Sequence, residues 1–121
     1  MTLDFEIQQE LIEDGIAVFR LSGALNHTSY EQLKQQLTEK FESSNFNLIL
    51  DLSQVTQISS IALGSLFTHQ QLLSSHSGTM VLCGCPVNIL AIFKMLSMDE
   101  TFQICNDIDD ARDFFLSKLK S

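Results

Sequence analysis

Apolar and polar positions change period several times along the chain, and each change marks an element. From Asp4 to Leu11, the residues Phe5, Ile7, Gln9 and Leu11 alternate with Asp4, Glu6, Gln8 and Glu10. A period of two with acids on one side predicts an edge strand with one wet face. Glu13-Asp14-Gly15 supplies turn chemistry, and Ile16 to Leu21 reads as a strand buried on both faces. Together they form an opening hairpin. Ser22-Gly23 ends that strand, and Asn26-His27-Thr28 leads into a helix. Thr28 followed by Glu31 fits a capping box, in which hydroxyl and carboxylate each satisfy a free backbone N–H. Tyr30, Leu33, Leu37 and Phe41 then recur at helical spacing, and Ser43-Ser44-Asn45 closes the helix.

Phe46 to Leu52 predicts a second buried strand, followed by a short loop holding Asp51, Ser53 and Thr56. A second helix runs from about Ser60 to Ser75, with Leu63, Leu66, Phe67 and Leu73 as its apolar stripe, and Ser77-Gly78 breaks it. Thr79 to Cys83 is a buried strand stopped by Gly84, and Pro86 suits the first turn of a third helix. That helix, Val87 to Leu96, is apolar all round, with only Asn88 and Lys94 polar. Two readings stay open for it: a short, well-covered core helix, or a face for a partner or a second copy in a homodimer. Thr101 to Cys105 is a short last strand. Asp107 and Asp110 then cap a final helix that packs through Phe114, Phe115, Leu116 and Leu119. The order of elements predicts an α/β fold over residues 1–121, with mostly parallel crossovers and helix starts near the carboxyl edge of the sheet.

The remaining features mostly exclude. A chain of 121 residues fits one domain. A formal net charge of -8, with seven basic residues scattered among fifteen acids, is a poor footprint for nucleic acid or an anionic membrane. A protein with a basic patch is the more natural partner. No stretch approaches a membrane span, and Asp4 and Glu6 stand where a secretory signal would be basic. The expected location is the cytoplasm. Cys83, Cys85 and Cys105 are odd in number, and the close Cys83-Gly84-Cys85 spacing also argues against a disulfide framework. Neither they nor His27, His69 and His76 have metal-ligand spacing, so no metal or cofactor is expected. No dinucleotide fingerprint, nucleophile elbow or phosphate loop is present, and catalysis is unsupported.

One junction stands out. Thr56-Gln57-Ile58-Ser59-Ser60-Ile61 follows a buried strand and opens a helix, so its N–H groups and the helix dipole would favour an anion. Serines at such a place are ordinary N-caps. A phosphate on one would add about -1.5 to -2 charges, enough to make or break an interface.

In four segments, taken in order, the chain resembles the STAS domain family, the anti-sigma-factor antagonists and their relatives. Leu21 to Thr28 is similar to the family's Gly-x-Leu-Asp segment, and Asp51 to Ile58 to its Asp-Leu-Ser-x-Val-x-x-Ile strand and loop. Leu63-Gly64 falls on its Leu-Gly within the second helix, and Ser97 to Ile104 on its Gly-Leu-Asp-x-x-Phe-x-Ile stretch. The resemblance implies a mixed sheet of about five strands flanked by about four helices. It also implies docking on an anti-sigma factor that is a Ser/Thr kinase. In the antagonist branch that kinase phosphorylates a serine in Asp-Ser-Ser-Gly at the start of the second helix. Aligned without gaps, the family's Asp falls on Ser59, its first serine on Ser60, its acceptor on Ile61 and its glycine on Ala62, while the acid before the first helix becomes Asn26. The implied partner-binding residues are Asn26, His27, Thr28, Ser59, Ser60, Ile61, Leu63 and Gly64. Ser60 and Ser59 are the remaining candidates for a phospho-acceptor. A structural subunit bracing another protein, such as a transporter ATPase, and a small-ligand sensor are the other readings.

Overall fold

The computed structural model describes residues 5–12 and 15–120. Five strands, β1 (Phe5–Ile12), β2 (Ile16–Leu25), β3 (Asn47–Ile58), β4 (Thr79–Cys83) and β5 (Gln103–Cys105), form one sheet in sequence order. β1 and β2 are antiparallel, and every later pair is parallel. Four helices connect or follow them: α1 (His27–Glu42), α2 (Ser60–Ser74), α3 (Val87–Met95) and α4 (Ile108–Lys120). The mixed α/β sheet with four helices agrees with the sequence reading.

Alternation along the strands divides the core in two. Ala17, Phe19, Leu48, Leu50, Met80 and Leu82 face α1, α2 and α3, where they meet Leu33, Leu37, Leu66 and Phe93. Ile16, Val18, Ile49, Val81 and Cys83 face the other way, onto Ala111 and Phe115 of α4. Three helices therefore cover one face and one covers the other. Gln70 joins the layers from inside: its Nε2 donates to Thr79 Oγ1 at 3.1 Å, and its Oε1 accepts from Met80 N at 2.8 Å. The entry to β4 runs so close to the preceding strand that a Cβ on Gly78 would lie 2.2 Å from the Phe46 carbonyl oxygen. Any larger residue there would push the two segments apart.

Several boundaries differ from the sequence reading. β2 does not stop at Ser22-Gly23, and β3 does not yield to a loop after Leu52; both continue, paired, to Leu25 and Ile58. The reason is a pair of bulges. Arg20 pairs with Asp51 but Ser22 with Gln54, and Gly23 pairs with Val55 but Ala24 with Gln57. β3 gains an extra residue at each step, which bends it and breaks its period of two. The first helix is capped two residues earlier than Thr28 suggests. Asn26 is the N-cap and Ser29 its reciprocal partner. β5 starts at Gln103 rather than Thr101, and Pro86 precedes α3 as its N-cap. Leu11 is exposed rather than on the buried side of its strand, at 63%. Asp107 does cap the last helix, accepting from Asp110 N at 2.9 Å. The turn residues Glu13 and Asp14, the strand's first residue Asp4 and the side chain of Leu119 lie outside the described residues.

Candidate functional site

The long β2–β3 pairing ends with Leu25 beside Ile58, so the next residue of each strand opens a helix at the same corner. Ser59 N donates to Leu25 O at 2.9 Å and locks the two helix starts side by side. At α1, Asn26 Oδ1 accepts from Ser29 N at 3.0 Å, and Asn26 N donates to Ser29 Oγ at 2.8 Å. The Ser29 hydroxyl, itself buried, donates to Ala24 O at 2.7 Å. At α2, Ser59 Oγ accepts from Ala62 N at 3.1 Å. Neither helix has an acid in its first turn. The positive ends of two helix dipoles thus emerge together, uncompensated by a carboxylate on either first turn.

The residues singled out in the sequence divide at this corner. Asn26, His27, Thr28, Ser60 and Ile61 are exposed, Ile61 at 59%. Ser59 is half-buried with its oxygen committed to the cap. Gly64 is exposed one turn further along α2, with open space where a side chain would project. Leu63 is different. It is 2% exposed and packs in the core, so it supports the corner from beneath and presents nothing to a partner.

Beyond the corner, a groove of about 580 Å³ runs between α1 and α2. Tyr30, Lys34 and Phe41 form one wall, and Ile61, Thr68 and Leu72 the other. Gly64 keeps it open, and the Thr68 hydroxyl folds back onto Gly64 O at 3.0 Å. Burial, with Glu31 adding a smaller contribution, pushes the Tyr30 phenol up to about 12, so it stays protonated. His69 closes the far part of the groove against Phe41, with ring centroids 6.5 Å apart. Burial lowers its pKa, and its buried Nε2 has no hydrogen-bond partner. The sequence reading did not single out this groove. Its signal is two rows spaced by four, Tyr30-Lys34-Thr38 and Ile61-Ser65-His69, which helical geometry turns toward each other.

Reactive groups do not converge at the corner; His27 is the one titratable side chain among the exposed residues named there. Among the described residues, no three His, Cys, Asp or Glu side chains are grouped so as to hold a metal ion. Burial pushes the Cys83 thiol up to about 12 and Cys85 to about 11, so both stay protonated and weakly nucleophilic. No described helix is long and apolar enough to cross a membrane. What the corner offers is shape, free N-terminal N–H groups and an exposed isoleucine.

The STAS domain family model matches residues 9–111. The chain belongs to the STAS domain family. Solved structures of similar fold have diverse roles by their descriptions. An anti-sigma factor antagonist from Mycobacterium paratuberculosis matches with a TM-score of 0.80 and 22% identity, over 97% of this chain and 95% of that one. A sulfate transporter family protein from Wolinella succinogenes matches at 0.79 and 16% identity, over 93% of each chain. The Bacillus cell-fate determinant SpoIIAA, in its phosphorylated form, matches at 0.74 and 18% identity, over 91% of this chain and 99% of that one. At these identities the likeness concerns the STAS fold.

Proposed function

We propose that this STAS protein is a non-enzymatic anti-sigma-factor antagonist, docking on an anti-sigma factor kinase through the start of α2. The observation that carries the reading is Ile61. A large aliphatic side chain, 59% exposed, stands beside two uncompensated helix N-termini and opens onto an apolar groove. An exposed apolar anchor ringed by polar groups is how a docking hot spot is built. Asn26, His27, Thr28, Ser60 and Gly64 form the surrounding contact surface, and Ser59 holds its geometry.

The same position bears on regulation. Ile61 has no hydroxyl to phosphorylate, and the Ser59 oxygen is engaged in capping α2. Ser60 alone combines exposure with a hydroxyl not used in the cap. With no hydroxyl at the family's acceptor position, Ile61, the reading is constitutive docking, and Ser60 is where a switch would have to act. Incubation with the kinase and ATP tests this: complex formation without label on Ser59 or Ser60 is expected, and stoichiometric label on either would overturn it.

A second reading follows from the likeness to a sulfate transporter family protein. The same domain would then brace a transport protein as a structural subunit. Co-purification of native complexes separates the two by the identity of the partner recovered.

A further inference from the structure

From Leu52 to Met98 the chain carries no Asp, Glu or Arg, and Lys94 is its one Lys. In a protein of net charge -8 this is the one long stretch where like-charge repulsion between two copies is weakest. Its most exposed apolar side chains lie on α3. Val87 is 85% exposed and Met95 79%, while Ile89 and Phe93 on the opposite side are fully buried. Val87, Ala91 and Met95 are spaced by four and make one continuous ridge along the outer surface, with Ala91 also exposed. Nothing in the described chain covers it.

We propose that two copies of this protein associate reversibly through α3, with the two helices antiparallel and crossing at Ala91. The ridge is self-complementary in that arrangement. The small Ala91 at its centre permits close approach, and Val87 of each copy then meets Met95 of the other, as an isologous two-fold contact requires. The helix dipoles oppose, and the two Lys94 side chains stand roughly 9 Å apart along the axis, about one screening length at physiological salt. The second copy is favoured over a basic partner because the ridge itself holds no acid. Its size sets the strength. A helix of 9 residues offers far less than the roughly 800 Å² per partner of a stable interface, so the dimer is weak and concentration-dependent.

Sedimentation equilibrium tests this on the whole chain, in reductant so that Cys85 and Cys105 cannot crosslink, from about 10 μM to about 1 mM. The wild type is expected to pass reversibly from monomer to dimer. Ala91→Arg should weaken association at least about tenfold with an unchanged melting temperature, because its side chain enters solvent. Ile61→Asp should associate like the wild type, which keeps this contact distinct from the corner of α2. A wild type monomeric throughout, or an Ala91→Arg protein that dimerises undiminished, would overturn the proposal. So would concentration-dependent amide shifts that fall in the α1–α2 groove rather than on residues 86–97.

Discussion

The middle of the chain, whose one Asp, Glu, Lys or Arg is Lys94, and its acidic ends do different work on one sheet. The segments before Leu52 and after Met98 hold all fifteen acids and six of the seven basic residues. They supply β1, β2, α1, β5 and α4, and on the open part of the sheet they pair Arg20 with Glu10. The middle supplies α2, β4 and α3, and it places Ile61, Leu72, Val87 and Met95 in water. A net charge of -8 disfavours contact with polyanions. The middle is left as the surface on which close apolar contact costs least in desolvated charge. Nearly all the charge and the exposed side chains of Ile61, Val87 and Met95 thereby fall on separate stretches of sequence.

Neighbouring positions on α2 sharpen that contrast most. Leu63→Ala removes a core side chain and should cost about 2–5 kcal/mol of stability, measured by urea denaturation. Two residues earlier, Ile61→Asp should leave stability within about 0.5 kcal/mol. Its effect falls on partner affinity instead, a loss of about 2–4 kcal/mol, or roughly 30-fold to 1000-fold, by calorimetry. If Ile61→Asp unfolds the protein, or binds its partner normally, the separation of core from docking side chains on this helix fails.

Gln70→Leu probes the polar link inside the same stretch. It strands the buried Met80 N–H and should cost about 1–3 kcal/mol in the same denaturation assay. A neutral result would mean the link is dispensable.

The smallest effect is on pH. Burial lowers the pKa of folded His69 below its ordinary 6.5, so the unfolded chain takes up the proton first. The contribution of neutral His69 is present above about pH 6.5 and is lost as pH falls from there through the folded value. Melting temperatures followed downward from pH 7.5 should therefore decline more for the wild type than for His69→Phe. Equal declines would show that this histidine is not the titrating group.

The sheet, the helices and their order were legible because most strands are short apolar runs and α1 is strongly periodic. β4 was read at its observed ends since all five residues from Thr79 to Cys83 are buried. The second half of β3 was not legible. Its buried positions, Leu52, Val55 and Ile58, recur every third residue because bulges interrupt the pleat, and the polar residues between them imitate a loop. At the site, the start of α2 was legible from its serines. The cap of α1 was not, since Thr28–Glu31 and Asn26–Ser29 both satisfy capping chemistry and only tertiary contacts, here Ser29 with Ala24, choose between them. Leu63 was named for the partner surface by its place in a motif, although the apolar stripe it shares with Leu66 and Leu73 already turned it inward. Whether α3 is covered depended on which side faces the sheet, which an all-apolar sequence does not encode.

The docking corner is tested most directly by mapping amide shifts of isotope-labelled protein as the partner recovered by co-purification is added. Shifts and broadening are expected at Asn26–Thr28 and Ser59–Ser65, and should vanish in Ile61→Asp. Perturbation confined to α4 and the open face of the sheet, with that corner unmoved, would contradict the account.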